Sequence, residues 1–178
     1  MAFEVFPHSS QREKDTMNTD SPKSTKEAML PRYAVVSDQG GAKTYILAFG
    51  KGEEVMSGLQ AFVKEERLYG GSLSAIGAFS DALLGSGRPI FDHVSKEYKM
   101  IPVKEQAEVV SLTGNIALVG GEARLHVHAV LGLPDGSARV GHVFEAHAWP
   151  TLEVVLVAWQ KPAWRSLDEE TGMQILIP

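Results

Sequence analysis

The segment LHVHAVLGLPDGSARVGHV, residues 125–143, predicts a β-hairpin on which the fold depends. Pro134–Gly136 suits a three-residue loop, because proline presets φ at the first position and glycine takes the left-handed conformation at the third. With that loop, His128 lies directly across from His142. A two-residue Asp-Gly loop would instead shift the register by one residue and turn His142 to the opposite face.

Three of the six histidines of the chain lie in this hairpin. Alternate residues of a strand face the same side, so His126 and His128 share a face. The predicted register adds His142 to that face and places Phe144 across from His126. Opposite Cβ atoms are about 5 Å apart and diagonal ones about 7–8 Å apart. His147 lies an odd number of residues from His142 and is therefore predicted to point away.

The chemistry of three converging imidazoles is that of a metal site. Imidazole nitrogens bind zinc at about 2.0–2.1 Å, and three of them leave one coordination position open, as in catalytic zinc sites. The sequence therefore predicts zinc, or another divalent metal, on His126, His128 and His142. Imidazole suits copper, iron and nickel as well, so the metal itself stays open. The alternative, half-buried strand histidines bonded to backbone carbonyls, also stays open.

One helix is predicted over residues 53–68, because apolar side chains recur there at the helical period. They are Val55, Leu59, Phe62 and Val63. Glu53 and Glu54 are expected in its first turn, where the helix dipole favours anions. Gly70-Gly71 is expected to stop it.

Strand-like segments occupy most of the remaining chain, separated by Gly, Pro and Asp. They are Tyr33–Val36, Thr44–Phe49, Ser72–Phe79, Ala82–Leu84, Tyr98–Val103, Ala107–Leu112, Asn115–Val119, Arg124–Leu131, Ala138–Ala148 and Glu153–Trp159. One helix with many short strands predicts an α+β fold, a single domain of mostly antiparallel β-sheet with the helix packed on one face.

Composition limits the classes of partner. A net charge of −5 argues against direct binding to nucleic acid or to an anionic membrane. The chain has no cysteine, which excludes disulfides and thiolate metal sites. No apolar run approaches the ~18 residues of a membrane span, and MAFEVFPHSSQREKD lacks the apolar core of a secretory signal. We therefore expect a soluble, cytoplasmic protein with no membrane partner.

The chain of 178 residues predicts one domain preceded by a disordered leader. Residues 7–30 are poor in β-branched and aromatic side chains, so they cannot bury enough apolar area to offset the entropy lost on ordering, and residues 1–30 are predicted to be the leader. Residues 31–178 are expected to form the domain. His8 falls in the leader and is expected to be solvated.

Carboxylates near the histidines are candidate bases for a metal-activated water. Glu108 is the candidate catalytic residue, with a salt bridge as its alternative role. Glu145 has the wrong parity relative to His142 and is expected on the other face. Asn115 either donates its amide to a ligand or, as we favour, caps a turn after Gly114.

Three further features receive structural interpretations. Gly87-Arg88-Pro89 contains the core of an AT-hook, but it lacks flanking basic residues, so a plain loop is predicted. His93 is interpreted as a surface histidine that a loop or a neighbouring subunit could bring to the site. The tryptophans near the end of the chain are interpreted as packing or subunit-interface residues. They are Trp149, Trp159 and Trp164.

From about Arg32 onward the sequence resembles the plant-and-prokaryote conserved (PPC) domain family. The resemblance is carried by the order and spacing of several short motifs. They are AIGA (75–78), EVVSLTGNI (108–116), LHVH (125–128), Asp135-Gly136, Gly141-His142, TLEVV (151–155) and DEETG (168–172). It implies an antiparallel sheet with a flanking helix, assembled as a homotrimer.

The resemblance also implies a site. Prokaryotic members of the family carry an H-x-H…G-H set associated with zinc, which maps onto His126, His128 and His142. The usual Gly-Gly-His appears here as Val140-Gly141-His142. Plant members are DNA-associated regulators that use a separate AT-hook and lack these histidines. Their partner-binding motif aligns with residues 106–110, where its arginine and phenylalanine are missing.

Three functional hypotheses follow. The first is a trimeric protein with a three-histidine metal site that binds or transforms a small polar molecule in a cleft between subunits. If it is an enzyme, a metal-dependent hydrolase or lyase is the expected class, because zinc lowers the pKa of bound water to about 7. The second is a DNA-associated transcriptional regulator that acts through DNA or a protein partner. The third is a scaffold trimer without metal.

Overall fold

The computed structural model describes residues 29–86 and 99–177. Nearly all of the predicted leader, with His8, lies outside the described residues. So do His93 and the Gly-Arg-Pro segment, whose interpretations therefore stay predictions.

The described residues form one helix and one sheet of nine strands. The elements in chain order are β1 (Arg32–Gln39), β2 (Ala42–Phe49), α1 (Val55–Glu65), β3 (Gly71–Ser86), β4 (Lys99–Val103), β5 (Ala107–Val119), β6 (Glu122–Gly132), β7 (Ala138–Ala158), β8 (Trp164–Leu167) and β9 (Gln174–Ile177). This confirms the predicted α+β class with a single flanking helix.

Four strands of the sheet close on one another. β3 pairs with β5 and β7, and β6 pairs with the same two strands. The β1–β2 hairpin extends this circuit from β7. The β8–β9 hairpin joins β5 through one parallel pair, Leu118 with Trp164, whereas the other described pairings are antiparallel. The closed circuit holds β6 beside β7, where the three histidines are.

Several predicted short strands are parts of longer ones. β3 covers two predicted strands, and so do β5 and β7. Turn signals inside them mark irregularities of the sheet, because β7 carries a cis Trp149–Pro150 bond and its register with β3 shifts three times. The prediction missed β8 and β9, which are four residues each and largely exposed, so they show no clear apolar alternation.

The helix is shorter than predicted, and its caps differ. The predicted apolar stripe is completely buried, which confirms the face that packs on the sheet. Glu54 lies before the helix as its N-cap, and its carboxylate accepts from the backbone N–H groups of Met56 and Ser57 at 3.0 and 2.5 Å. Arg67, with φ of 52°, ends the helix, since Leu68 N–H donates back to Val63. Gly70-Gly71 already leads into β3.

One face of the sheet is buried against the helix and one is not. The core includes Phe62 and Val63 of the helix together with Val127, Leu131 and Val143 of the β6–β7 hairpin. The histidines alternate with these core residues and therefore lie on the opposite, half-buried face. No described helix is long and apolar enough to cross a membrane.

Candidate metal centre

The hairpin loop has the predicted geometry. Leu133 N–H donates to Ser137 O at 2.8 Å, Gly136 N–H donates to Leu133 O at 2.9 Å, and Gly136 has φ of 81°. The loop is thus three residues long, and His128 pairs with His142 as predicted. The β6–β7 ladder ends at that pair, so the predicted pairing of His126 with Phe144 does not form.

The three imidazoles converge. The rings of His126, His128 and His142 have centroids 4.9, 5.2 and 5.5 Å apart. Nε2 of His126 lies 3.0 Å from Nε2 of His128. One nitrogen from each ring can be chosen so that all three lie within 4.8 Å of one another. This cluster, which we call the histidine triad, is the arrangement that the sequence predicts.

The cavity beside the triad contains an arginine that the sequence reasoning did not assign to the site. Arg165 projects from β8, and its Nη2 donates to Asn115 Oδ1 at 2.5 Å and to His126 Nδ1 at 3.2 Å. A guanidinium only donates, so Nδ1 of His126 is an acceptor here. Arg165 went unassigned because 39 residues separate it from His126. β8, a strand that the sequence reasoning did not predict, places Arg165 next to β5 and the triad.

Asn115 makes a contact that the sequence reasoning did not consider. β5 is continuous through Gly114, so the favoured turn cap is wrong. Asn115 is the cross-strand partner of His126 and accepts from Arg165. It therefore orients the guanidinium beside the triad.

Burial keeps the triad neutral. Desolvation lowers the pKa of His142 to about 4, with further lowering by the neighbouring His126, His128 and Arg165. Desolvation also lowers the pKa of His126, helped by Arg165, and that of His128. All three rings are therefore neutral at pH 7, and neutral imidazole is the form that binds metals.

The candidate base, Glu108, is not brought to the triad within the subunit. It pairs with Gly132 of β6, four residues from His128, which corresponds to about 13 Å along a strand. It lines a separate cavity beside Pro134 at the hairpin loop. The alternative role of Glu108 is not seen either, because none of the ion pairs among the described residues includes Glu108.

The parity prediction for Glu145 and His147 is wrong. The pairing of β7 with β3 shifts at Phe144, where one extra residue reverses the alternation. Val143, Ala146 and Ala148 are consequently buried, and Glu145 and His147 lie on the same side of the sheet as His142. His147 is still separate from the triad, because its Nδ1 lies 2.9 Å from Asp81 Oδ1.

Close backbone packing supports His142. A Cβ atom on Gly141 would lie 2.5 Å from the carbonyl oxygen of Gly85 on the neighbouring strand. Only glycine allows β3 and β7 to approach this closely next to His142.

Comparisons with known proteins agree with this fold. The model of the Plants and Prokaryotes Conserved (PCC) domain matches residues 36–160, a range that includes the triad but not Arg165. No curated protein matches the chain.

Among solved structures, one similar chain is a candidate DNA-binding protein from Bacteroides thetaiotaomicron, with 29% identity and a TM-score of 0.72 over 82% of this chain and 96% of that one. Another is a metal-containing protein from Archaeoglobus fulgidus, with 26% identity and a TM-score of 0.68 over 84% of this chain and 99% of that one. A third is a PPC protein from Pyrococcus horikoshii, with 26% identity and a TM-score of 0.69 over 83% of this chain and 95% of that one.

Proposed function

Since the chain belongs to the Plants and Prokaryotes Conserved domain family, we propose that it is a metal-site protein whose histidine triad binds zinc or another divalent metal. The observation that carries the proposal is the convergence of His126, His128 and His142, each offering a nitrogen within 4.8 Å of the others. The description of the Archaeoglobus fulgidus protein as metal-containing supports the same site.

The donor set fits a first-row divalent metal. Nitrogens bound to one tetrahedral zinc at about 2.0–2.1 Å are about 3.3 Å apart. The Nε2 atoms of His126 and His128 are already 3.0 Å apart, close to that separation, and one nitrogen from each of the three rings lies within 4.8 Å of the others. The three rings are half-buried and neutral at pH 7, and neutral imidazole is the charge state that binds a metal.

The triad leaves room for chemistry on a small molecule. A zinc ion held by three imidazoles supplies a Lewis acid and lowers the pKa of a bound water to about 7. The chain surrounds this position with the guanidinium of Arg165 and an adjoining cleft, so a small polar molecule can be held beside it. Metal-assisted hydrolysis or a lyase step is the class of reaction that this arrangement favours. Glu108 can act as the base in such a reaction only if a neighbouring subunit brings it to the triad, and we keep that role as a proposal.

Elemental analysis tests the metal. Protein purified without chelator from metal-replete medium is expected to contain about one zinc or other divalent metal per chain. His128→Ala should lose most of it, whereas His147→Ala, which removes a histidine bonded to Asp81, should keep it. Wild-type protein without any divalent metal under these conditions would refute the proposal and favour the scaffold hypothesis.

We also propose that residues 31–178 form one domain that assembles as a homotrimer. Support comes from exposed apolar side chains on the sheet, Ile76, Val110 and Val155, which line a shallow cavity that also includes Glu153. The first two side chains are each 61% exposed. Trp149, Trp159 and Trp164 are also between 41% and 53% exposed, in keeping with their predicted interface role.

Association with DNA is the second candidate, favoured by the description of the Bacteroides thetaiotaomicron protein. Lys64, Arg67 and Arg124 line one groove, although Glu122 lies among them and the net charge is −5. An electrophoretic mobility shift at low salt tests it. Direct binding requires a shift that weakens steeply as salt rises. The absence of any shift would leave only an indirect role through a protein partner.

A further inference from the structure

The cleft beside the triad combines an apolar wall with a positive charge. Its volume is about 340 Å³, and Val119, Leu125 and Met173 contribute apolar surface. Arg165 and Arg124 provide the charge, and none of the described residues that line it is acidic. Arg124 is exposed and already paired with Glu122 at 2.7 Å, which leaves Arg165 as the cation next to the triad.

Arg165 is held in place by the protein. Its Nη1 donates to the backbone oxygen of Gln174 at 3.0 Å, and its Nη2 contacts Asn115 and His126. These contacts use three of the five N–H groups of a guanidinium. A cation so close to a metal-binding triad repels the metal, unless an anion lies between them. The position of Arg165 is therefore best explained by a negatively charged ligand.

The hydrogen bonding of His126 points the same way. A histidine that binds a metal through Nε2 carries its proton on Nδ1 and donates it to an acceptor. Arg165, which only donates, cannot face that proton. Metal binding at Nε2 of His126 would thus release one N–H of Arg165 to the cleft. An anionic group in the cleft could then accept a hydrogen bond from this N–H and lie beside the bound metal.

We propose that this cleft binds a small monocarboxylate with an apolar body, whose carboxylate contacts the guanidinium of Arg165 beside the triad. The guanidinium matches one carboxylate in charge, and two of its five N–H groups remain for hydrogen bonds to it. The apolar wall of the cleft matches a short hydrocarbon chain. This inference rests on the proposed metal function and names the class of its ligand. Arg165 also lies beyond residues 36–160, so it is a feature of this chain outside the matched family range.

The test is calorimetric titration of zinc-loaded protein with butyrate, with its neutral isostere butyramide and with inorganic phosphate. We expect butyrate to bind at least tenfold more tightly than butyramide and more tightly than phosphate. Arg165→Gln should weaken butyrate binding at least tenfold while keeping zinc, and Arg165→Lys should weaken it less. Arg139→Gln, the same change at an exposed arginine outside the cleft, should have no effect. Thermal denaturation checks that each variant is folded.

The outcomes separate the two proposals. Equal butyrate affinity in wild type and Arg165→Gln, or tighter binding of phosphate than of butyrate, would overturn the carboxylate site and leave the metal site standing. If wild-type protein contains no metal, the titration is repeated on that protein. Butyrate binding that still requires Arg165 would then keep the carboxylate site and remove the metal. No butyrate binding would remove both.

Discussion

At the scale of single residues, the site depends on histidines that are kept neutral by burial. Desolvation holds the pKa of His142, His126 and His128 below that of a free imidazole, and cationic or imidazole neighbours lower the pKa of His142 and His126 further. Arg165 adds a fixed positive charge to the same small volume. The rings are thus in the neutral form that can bind a metal at pH 7. When acid is added, the free energy of unfolding falls, because the unfolded chain takes up protons more readily than the buried rings do.

The pH dependence of the free energy of unfolding follows from these shifts. Below pH 6.5 the imidazoles of the unfolded chain bind protons that the folded triad does not, because the pKa of His142 is about 4 in the folded state. Stability should therefore fall as the pH falls from 6.5 to 4. For His142 we expect the free energy of unfolding to fall by about 1 kcal/mol between pH 7 and pH 5, a figure that already allows for the partial exposure of the ring.

Urea denaturation of chelator-treated protein at both pH values measures this loss. His142→Gln should show a smaller difference between pH 7 and pH 5 than wild type, since glutamine does not titrate. His147→Gln serves as the control and should keep most of the wild-type difference, because His147 lies outside the triad. Identical pH profiles for wild type and His142→Gln would contradict the expected role of burial.

At the scale of elements, the β6–β7 hairpin and its contact with β3 set the geometry of the triad. Its loop fixes the register, and that register was predictable from Pro134–Gly136 because the loop chemistry is local. The bulge at Phe144 was not predictable, since it results from the pairing of β7 with β3. The error for Glu145 and His147 has this single cause.

Gly141→Ala tests the close approach of β3 and β7. The new Cβ would lie 2.5 Å from Gly85 O, so the strands must separate beside His142. We expect a loss of about 1–3 kcal/mol in the free energy of unfolding, together with reduced metal content. Urea denaturation and elemental analysis measure the two effects.

Gly132→Ala is the matched control for this substitution. Its Cβ would meet nothing closer than a methyl group of Val110 at 3.3 Å, and a side chain can shift by that little. It should cost less than Gly141→Ala and leave the metal content unchanged. Equal effects of the two substitutions would show that the tight contact at Gly141 is not important.

At the scale of the whole molecule, several apolar side chains remain exposed on one face of the sheet after the chain has buried its core. Ile76, Val110 and Val155 line this surface. A monomer gains nothing by exposing them, whereas a subunit interface removes them from water. The proposed homotrimer would cover this face.

Light scattering on the eluting protein tests the assembly. Wild type is expected at three times the subunit mass of 19.3 kDa. Val155→Glu should shift the mass toward the monomer, because it places a charge in the apolar surface. Val36→Glu, which changes an equally exposed valine on β1, should leave the mass unchanged. A monomeric wild type would contradict the trimer.

The sequence by itself determined the α+β class, the apolar face of the helix and the register that brings three histidines to one side of a hairpin. These features depend on side-chain periodicity and turn chemistry, which act over a few residues. The tertiary structure alone decided that Asn115 and Arg165 join the triad, that Glu108 does not, and which way β7 faces beyond Phe144. Those outcomes depend on pairing between strands far apart in the chain, and no local pattern encodes the distance between them.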